Sequence, residues 1–322
     1  MRHFGLKEAI LAAGIGAAVG CGSDKTAEGN KDQTCEAEYF KADDGQQQGR
    51  ERRIVELPAQ FLAKDSLYDE INRGGELDPL VLAEWKRISE EERQKMHERR
   101  FGNLDKYIEK YFAKIIQNEE LRSEVARLVA EAAEKYGVPV DIILGVIGTE
   151  SGGDPQARSE AKPEARGIMQ FLPLAAREMG LQVDLKKGID ERFDNKKSLK
   201  AAVRYLKNLK DYFGSYGVGL IAYSSGRTKL EDVICQQYPE IESRRQRIGT
   251  KDYKLFTKQG YSHFLELVKA GKISIVHLYS KEFKGLGVAH PYQYPFYVEE
   301  MSRQMSAILN TGKPLLVSAS RL

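Results

Sequence analysis

Only three cysteines occur in the 322 residues, Cys21, Cys35 and Cys235, so at most one disulfide is possible. The five histidines, His3, His97, His263, His277 and His290, show no metal-ligand spacing. No phosphate-cradling glycine loop is present, and Gly148-x-Glu150-x-Gly152 has a glutamate where a serine-hydrolase elbow needs its nucleophile. The chain therefore implies no metal and no cofactor. No apolar run reaches the ~18–20 residues of a spanning helix. The net charge of +3, from 50 Lys and Arg against 47 Asp and Glu, is too small to indicate a nucleic-acid partner. Valine-rich alternation is scarce and no internal repeat appears, so the fold class is mainly α. With 41% hydrophobic and 30% charged residues, the composition is that of a soluble globular protein with a real core.

The first twenty residues differ in kind from the rest. Arg2 and Lys7 give a basic start, and residues 9–20 form a short Ala/Gly-rich apolar run that reads as a secretion signal. The run closes on Ala17-Ala18-Val19-Gly20-Cys21, which resembles a bacterial lipoprotein box with Cys21 as the lipidated N-terminus. Ala18 stands where leucine is more usual, and a plain signal peptide with an incidental cysteine is the alternative. Residues 22–52 hold almost no aliphatic side chain beyond alanine, so the expectation for 21–52 is a lipidated cysteine on a flexible tether. Cys35 and Cys235 then remain, either paired or as two free thiols.

Residues 53–120 read as an accessory helical region. Val81-Leu82-Trp85-Ile88 and Tyr107-Ile108-Tyr111-Phe112-Ile115-Ile116 recur at helical spacing, giving one apolar stripe per helix. The charges from Glu90 through Arg99-Arg100 read as a solvated face. An amphipathic helix follows over 121–136. Gly137 stops it, Pro139 blocks continuation, and Asp141 is placed to cap the next helix. That helix carries Glu150 on its last turn. Residues 152–166 form a loop, and further helices are expected near Pro173, over 197–213 and over 297–310.

Glu150 closes the apolar stretch Ile142-Ile143-Leu144-Gly145-Val146-Ile147-Gly148-Thr149. Burial there disfavours the carboxylate and raises its pKa, as a general acid working near neutral pH requires. Downstream stand Ala157-x-Ser159, then Gly167-Ile168-Met169-Gln170-x-Leu172-Pro173, then Ala222-Tyr223-Ser224-Ser225-Gly226, and finally Pro291-x-Gln293 with Tyr297-Val298. Together with Glu150-Ser151, this order of motifs resembles the soluble-type lytic transglycosylases, whose catalytic domain is goose-type-lysozyme-like. The resemblance spans roughly residues 120–310 and delimits an expected catalytic domain over 121–312, enlarged over 227–290.

What the resemblance implies is cleavage of the β-1,4 bond between N-acetylmuramic acid and N-acetylglucosamine in peptidoglycan, by one acidic residue. Glu150 matches the catalytic acid. Ser159 and Gln170 match residues that contact the sugar, Tyr223 matches the tyrosine of the active-site wall, and Tyr297 is a second candidate there. Met169 is expected to pack beside the cleft. The implied partners are glycan strands and, through the lipid, a membrane, with the periplasmic face of the outer membrane the family's usual place. The chain departs from the pattern in several places: the loop from Ser159 to Arg166 is two residues longer, Ser224 replaces an asparagine, Gln293 replaces a glutamate, and 227–290 is long. Two alternatives stay open: a lysozyme-like hydrolase using Asp154, Glu160, Glu164 or Asp194 as second acid, and a peptidoglycan-binding lipoprotein without turnover.

Overall fold

The computed structural model describes residues 100–160, 164–248, 253–270, 272–273 and 293–315, with Lys95 and Glu98. The expectations for residues 1–52, for Cys21, Cys35, Pro291 and four of the histidines, and for most of 53–120 lie outside the described residues.

Helices dominate, and local sequence sets their ends. Helix α1 (Leu104–Tyr111) starts where the Asn103 side chain accepts from the Lys106 N–H, and α2 (Ala113–Gln117) follows after Phe112. Helix α3 (Glu119–Tyr136) is capped the same way by Asn118, carries Glu119 and Glu120 against the positive end of its dipole, and stops at Gly137. Helix α4 (Val140–Ser151) differs from the sequence reading at its start. Pro139, at φ −55°, is itself the N-cap residue. Asp141 therefore falls inside the first turn, where it accepts from the Ile142 N–H and offsets the dipole without capping.

Next come α5 (Pro173–Glu178) and a minimal hairpin of β1 (Val183–Asp184) with β2 (Ile189–Asp190). A 3₁₀ turn over Glu191–Phe193 leads into α6 (Asn195–Phe213), capped by Asp194, and then into α7 (Tyr216–Ser225). The expected enlargement is folded where it is described. It comprises α8 (Arg227–Gln237), α9 (Pro239–Glu242), a second antiparallel hairpin of β3 (Arg245–Ile248) and β4 (Tyr253–Phe256), and α10 (Lys258–Lys269). Phe264 of α10 meets Phe213 edge-on at the end of α6, and Tyr261 donates to the Asp211 carbonyl at 2.9 Å. Helix α11 (Tyr294–Thr311) completes the described chain.

One core holds these elements together. Helix α4 is buried at every position from Val140 to Thr149 except Asp141. It packs most extensively on α11, while α6 packs on α3 and α7. Two glycines allow the α4–α11 approach. A Cβ at Gly145 would sit 2.2 Å from the Val298 carbonyl oxygen, and one at Gly148 would sit 2.8 Å from the Met301 Cβ. Phe101, Ile108, Phe112 and Ile115 belong to the same core, so residues 101–115 are continuous with the packing around α4. Cys235 is buried on α8 with a free thiol, and among the described residues no helix is long and apolar enough to cross a membrane.

Candidate active site

Glu150 lies on the last turn of a helix whose preceding residues form the core, so its carboxyl emerges where α4 meets solvent only partly. Tyr294, in the first turn of α11, donates its hydroxyl to Glu150 Oε1 at 2.5 Å. Burial pushes the Glu150 carboxyl up to about 7, against the hydrogen bond from Tyr294 and the charge of Arg100, which both favour the carboxylate. A group poised there populates both the acid and the carboxylate near neutral pH, so it can give a proton and take one back. Among the described residues, no carboxylate is among the groups that set this value.

Two tyrosines frame the acid. Tyr223 on α7 lies nearly parallel to Tyr294, with centroids 6.3 Å apart, and donates to the Met169 carbonyl at 3.1 Å. Burial, then the negative charge of Glu150, raise the pKa of both phenols well above their ordinary range, so both stay protonated. Tyr107 of α1 also feels Glu150, although burial is the larger reason its pKa is raised.

The wall opposite is a tight turn over 164–171, joined to the acid through Ser151. The Ser151 hydroxyl donates to the Ile168 carbonyl at 2.8 Å, which fixes this turn to the end of α4. Gly167 sits at φ +79°, where a Cβ would lie 1.8 Å from the Arg192 carbonyl oxygen. Gln170, at φ +50°, is the one non-glycine residue with positive φ among the described residues. Its amide nitrogen donates to the carbonyls of Gly167 and Ala157, which ties the turn to the loop before it. Behind the turn, the fully buried Arg192 donates to the carbonyls of Glu164 and Phe171 and grips Asp190 with Nε and Nη2. Burial opposes ionisation of Asp190, but hydrogen bonds from Arg192 and Arg166 prevail and hold its carboxyl below the usual range.

The remaining sequence candidates divide. Ser159 is buried and its hydroxyl oxygen accepts from the Ala165 N–H at 2.8 Å, so it closes its own loop. Met169 is buried and meets the site through its carbonyl. Tyr297 donates to Gln293 Oε1 at 2.6 Å and packs edge-on to Phe101, without a bond to the acid. Ser224, in place of the asparagine, donates to the Ile221 carbonyl of its own helix. Tyr294 and Arg100 are the residues that motif reading passed over. Tyr294 is one turn from Tyr297 on the same helix, and that spacing is the signal that could have found it.

The candidate second acids have other duties. Asp154 pairs with Lys114 at 2.8 Å, Glu164 pairs with Arg166, and Asp194 caps α6. Glu160 is exposed. Among the described residues, no group of three or more His, Cys, Asp or Glu is placed to hold a metal ion.

A mainly helical fold with one buried acid at a helix end, walled by tyrosines and a glycine-bearing turn, is consistent with a transglycosylase SLT domain. Residues 127–244 match the family model of that description, and the chain carries an SLT-type lytic transglycosylase domain. Among relatives, it is 30% identical over 114 residues to membrane-bound lytic murein transglycosylase E of Buchnera aphidicola, across 32% of this chain and 50% of that protein. It is 35% identical over 92 residues to membrane-bound lytic murein transglycosylase C of Histophilus somni (27% and 24%). It is 26% identical over 98 residues to the transglycosylase of Enterobacteria phage PRD1 (30% and 33%). In each case the match spans half or less of the relative's own length.

Proposed function

We propose that this protein cleaves the β-1,4 bond between N-acetylmuramic acid and N-acetylglucosamine in peptidoglycan without water, with Glu150 as the single acid and base. Glu150 gives its proton to the glycosidic oxygen as the C1–O bond breaks. The resulting carboxylate then takes the proton of the C6 hydroxyl on the same muramic acid residue, and that oxygen closes on C1. The product is a 1,6-anhydro end, and Glu150 recovers its proton. Gln170 and Tyr223 line the sugar, Ser159 and Met169 hold the loop that carries Gln170, and Tyr297 braces the start of α11.

The observation that carries this reading is the Tyr294-bonded Glu150 carboxyl with its pKa near 7 and, among the described residues, no carboxylate in the groups that set it. A protonated acid serves the first step, and a carboxylate steadied by Tyr294 serves the second. A hydrolase of the two-carboxylate kind needs a partner acid to position water, and the four candidates for that role are engaged elsewhere or exposed. The test is mass spectrometry of purified peptidoglycan digested with residues 22–322. Anhydromuropeptides, lighter by one water than hydrolysis products, are expected. Glu150→Gln should lower their yield by about 10²–10⁴-fold, the usual loss for a general acid. Reducing ends would instead make water the nucleophile, and no release at all would leave only a wall-binding protein.

The same reading places the enzyme in the cell envelope, held by a lipid on Cys21 at the end of the 22–52 tether. The lipobox-like run before Cys21 supports this, as do relatives named membrane-bound. Metabolic labelling with palmitate should mark the full chain and not Cys21→Ala; equal labelling of both would remove the anchor.

A further inference from the structure

Arg100, the last residue of the charge run, does not lie on a fully solvated face. Arg100 is partly buried, and its Nε is enclosed with no hydrogen-bond partner. Its Cζ lies 5.4 Å from the Tyr297 ring centroid and 6.0 Å from that of Phe101. Aromatic contacts of this kind hold a guanidinium by its plane and leave its edge of N–H donors to another group. Among the described residues no carboxylate comes within ion-pair distance of it. Tyr297 stands one turn along α11 from Tyr294, whose hydroxyl bonds Glu150, so the guanidinium held over Tyr297 lies on the side of the helix that meets the acid, and its charge favours the Glu150 carboxylate.

A guanidinium whose Nε has no partner, next to a glycan-cleaving acid, is suited to an anion on the glycan. N-acetylglucosamine offers none. Muramic acid carries a lactyl arm, which ends in a carboxylate on a stripped strand or continues into a stem peptide with its own carboxylates. We propose that Arg100, presented by Tyr297 and Phe101, is a carboxylate-binding subsite that takes the muramoyl arm of the strand held at Glu150. It gives Tyr297 its part in the site as a platform for the arginine. This rests on the glycan-cleaving reading above.

Calorimetric titration of the Glu150→Gln full chain tests it, with turnover removed from the measurement. Three probes serve: the neutral N-acetylglucosamine tetramer, a peptidoglycan tetrasaccharide stripped of peptide, and the same tetrasaccharide bearing its stem peptides. Adding Arg100→Gln should weaken a carboxylate-bearing probe by about tenfold or more, as loss of a charge-assisted hydrogen bond implies. The neutral tetramer should change by less than about twofold, because its binding makes no use of the charge. Whichever carboxylate probe suffers the loss identifies the source, lactyl or peptide. Arg100→Lys should retain part of the affinity, since it keeps charge without the planar fork. An equal loss on all three probes, or none, would overturn the subsite while leaving the transglycosylase reading intact. Failure of the Glu150→Gln chain to bind any of the glycans would sink both.

Discussion

Three influences meet at the Glu150 carboxyl: burial raises its pKa, while Tyr294 and Arg100 oppose the rise and bring it to about 7. The acid must start protonated, so kcat/KM should hold below that value and fall as pH rises through it. Tyr294→Phe removes a donor that favours the carboxylate. The pKa then rises, and the alkaline limb of the profile should move up by about one unit, the scale of a hydrogen bond to a charged group. A pH–rate profile checks this; an unmoved limb would mean that Tyr294 does not bond the acid in the working enzyme. At this scale the sequence was informative where chemistry is local. Glu150, Gln170 and Tyr223 were named from short motifs; Tyr223 stacks near Tyr294, which bonds Glu150, and Gln170 closes the neighbouring turn. Tyr294 was not, because its role depends on a contact across 144 positions that no local pattern encodes.

Helices α4 and α11 make the site by approaching closely. Their contact runs through Gly145 and Gly148, against Val298, Met301 and Met305. Alanine is the better helix former by about 1 kcal/mol, yet Gly145→Ala should destabilise the protein. Its methyl would have to displace the Val298 backbone, and overpacking of this kind costs about 1–3 kcal/mol. The shift would also draw Tyr294 away from Glu150, so activity should fall with stability. Denaturant unfolding alongside the digest measures both, and a more stable Gly145→Ala would show that the helices can part freely. The sequence located both helices through their apolar spacing, but placed the start of α11 three residues late and gave Asp141 the cap that Pro139 occupies. Such ends depend on where the chain must turn to pack, which periodicity does not record. The Arg192–Asp190 clamp behind the 164–171 turn was likewise silent in sequence, because a buried arginine looks like any other until its carbonyl partners are in place.

The family match over 127–244 includes Glu150, the turn and Tyr223, yet the molecule that holds them is larger. Phe101 to Ile115 on one side and α11 on the other share the core with α4, and each sends a charged or phenolic group toward the acid. The segment after α7 adds a folded layer against the end of α6, joined through Phe213, Phe256 and Phe264. By itself the sequence determined the helical class and the domain family and pointed to Glu150 as the candidate acid, since amphipathic spacing and contiguous motifs are properties of neighbouring residues. Only the tertiary structure decided which tyrosine bonds that acid, which arginine stands beside it and how far its pKa rises. Those outcomes depend on desolvation and on groups brought together from distant parts of the chain, and neither exists until the core has closed.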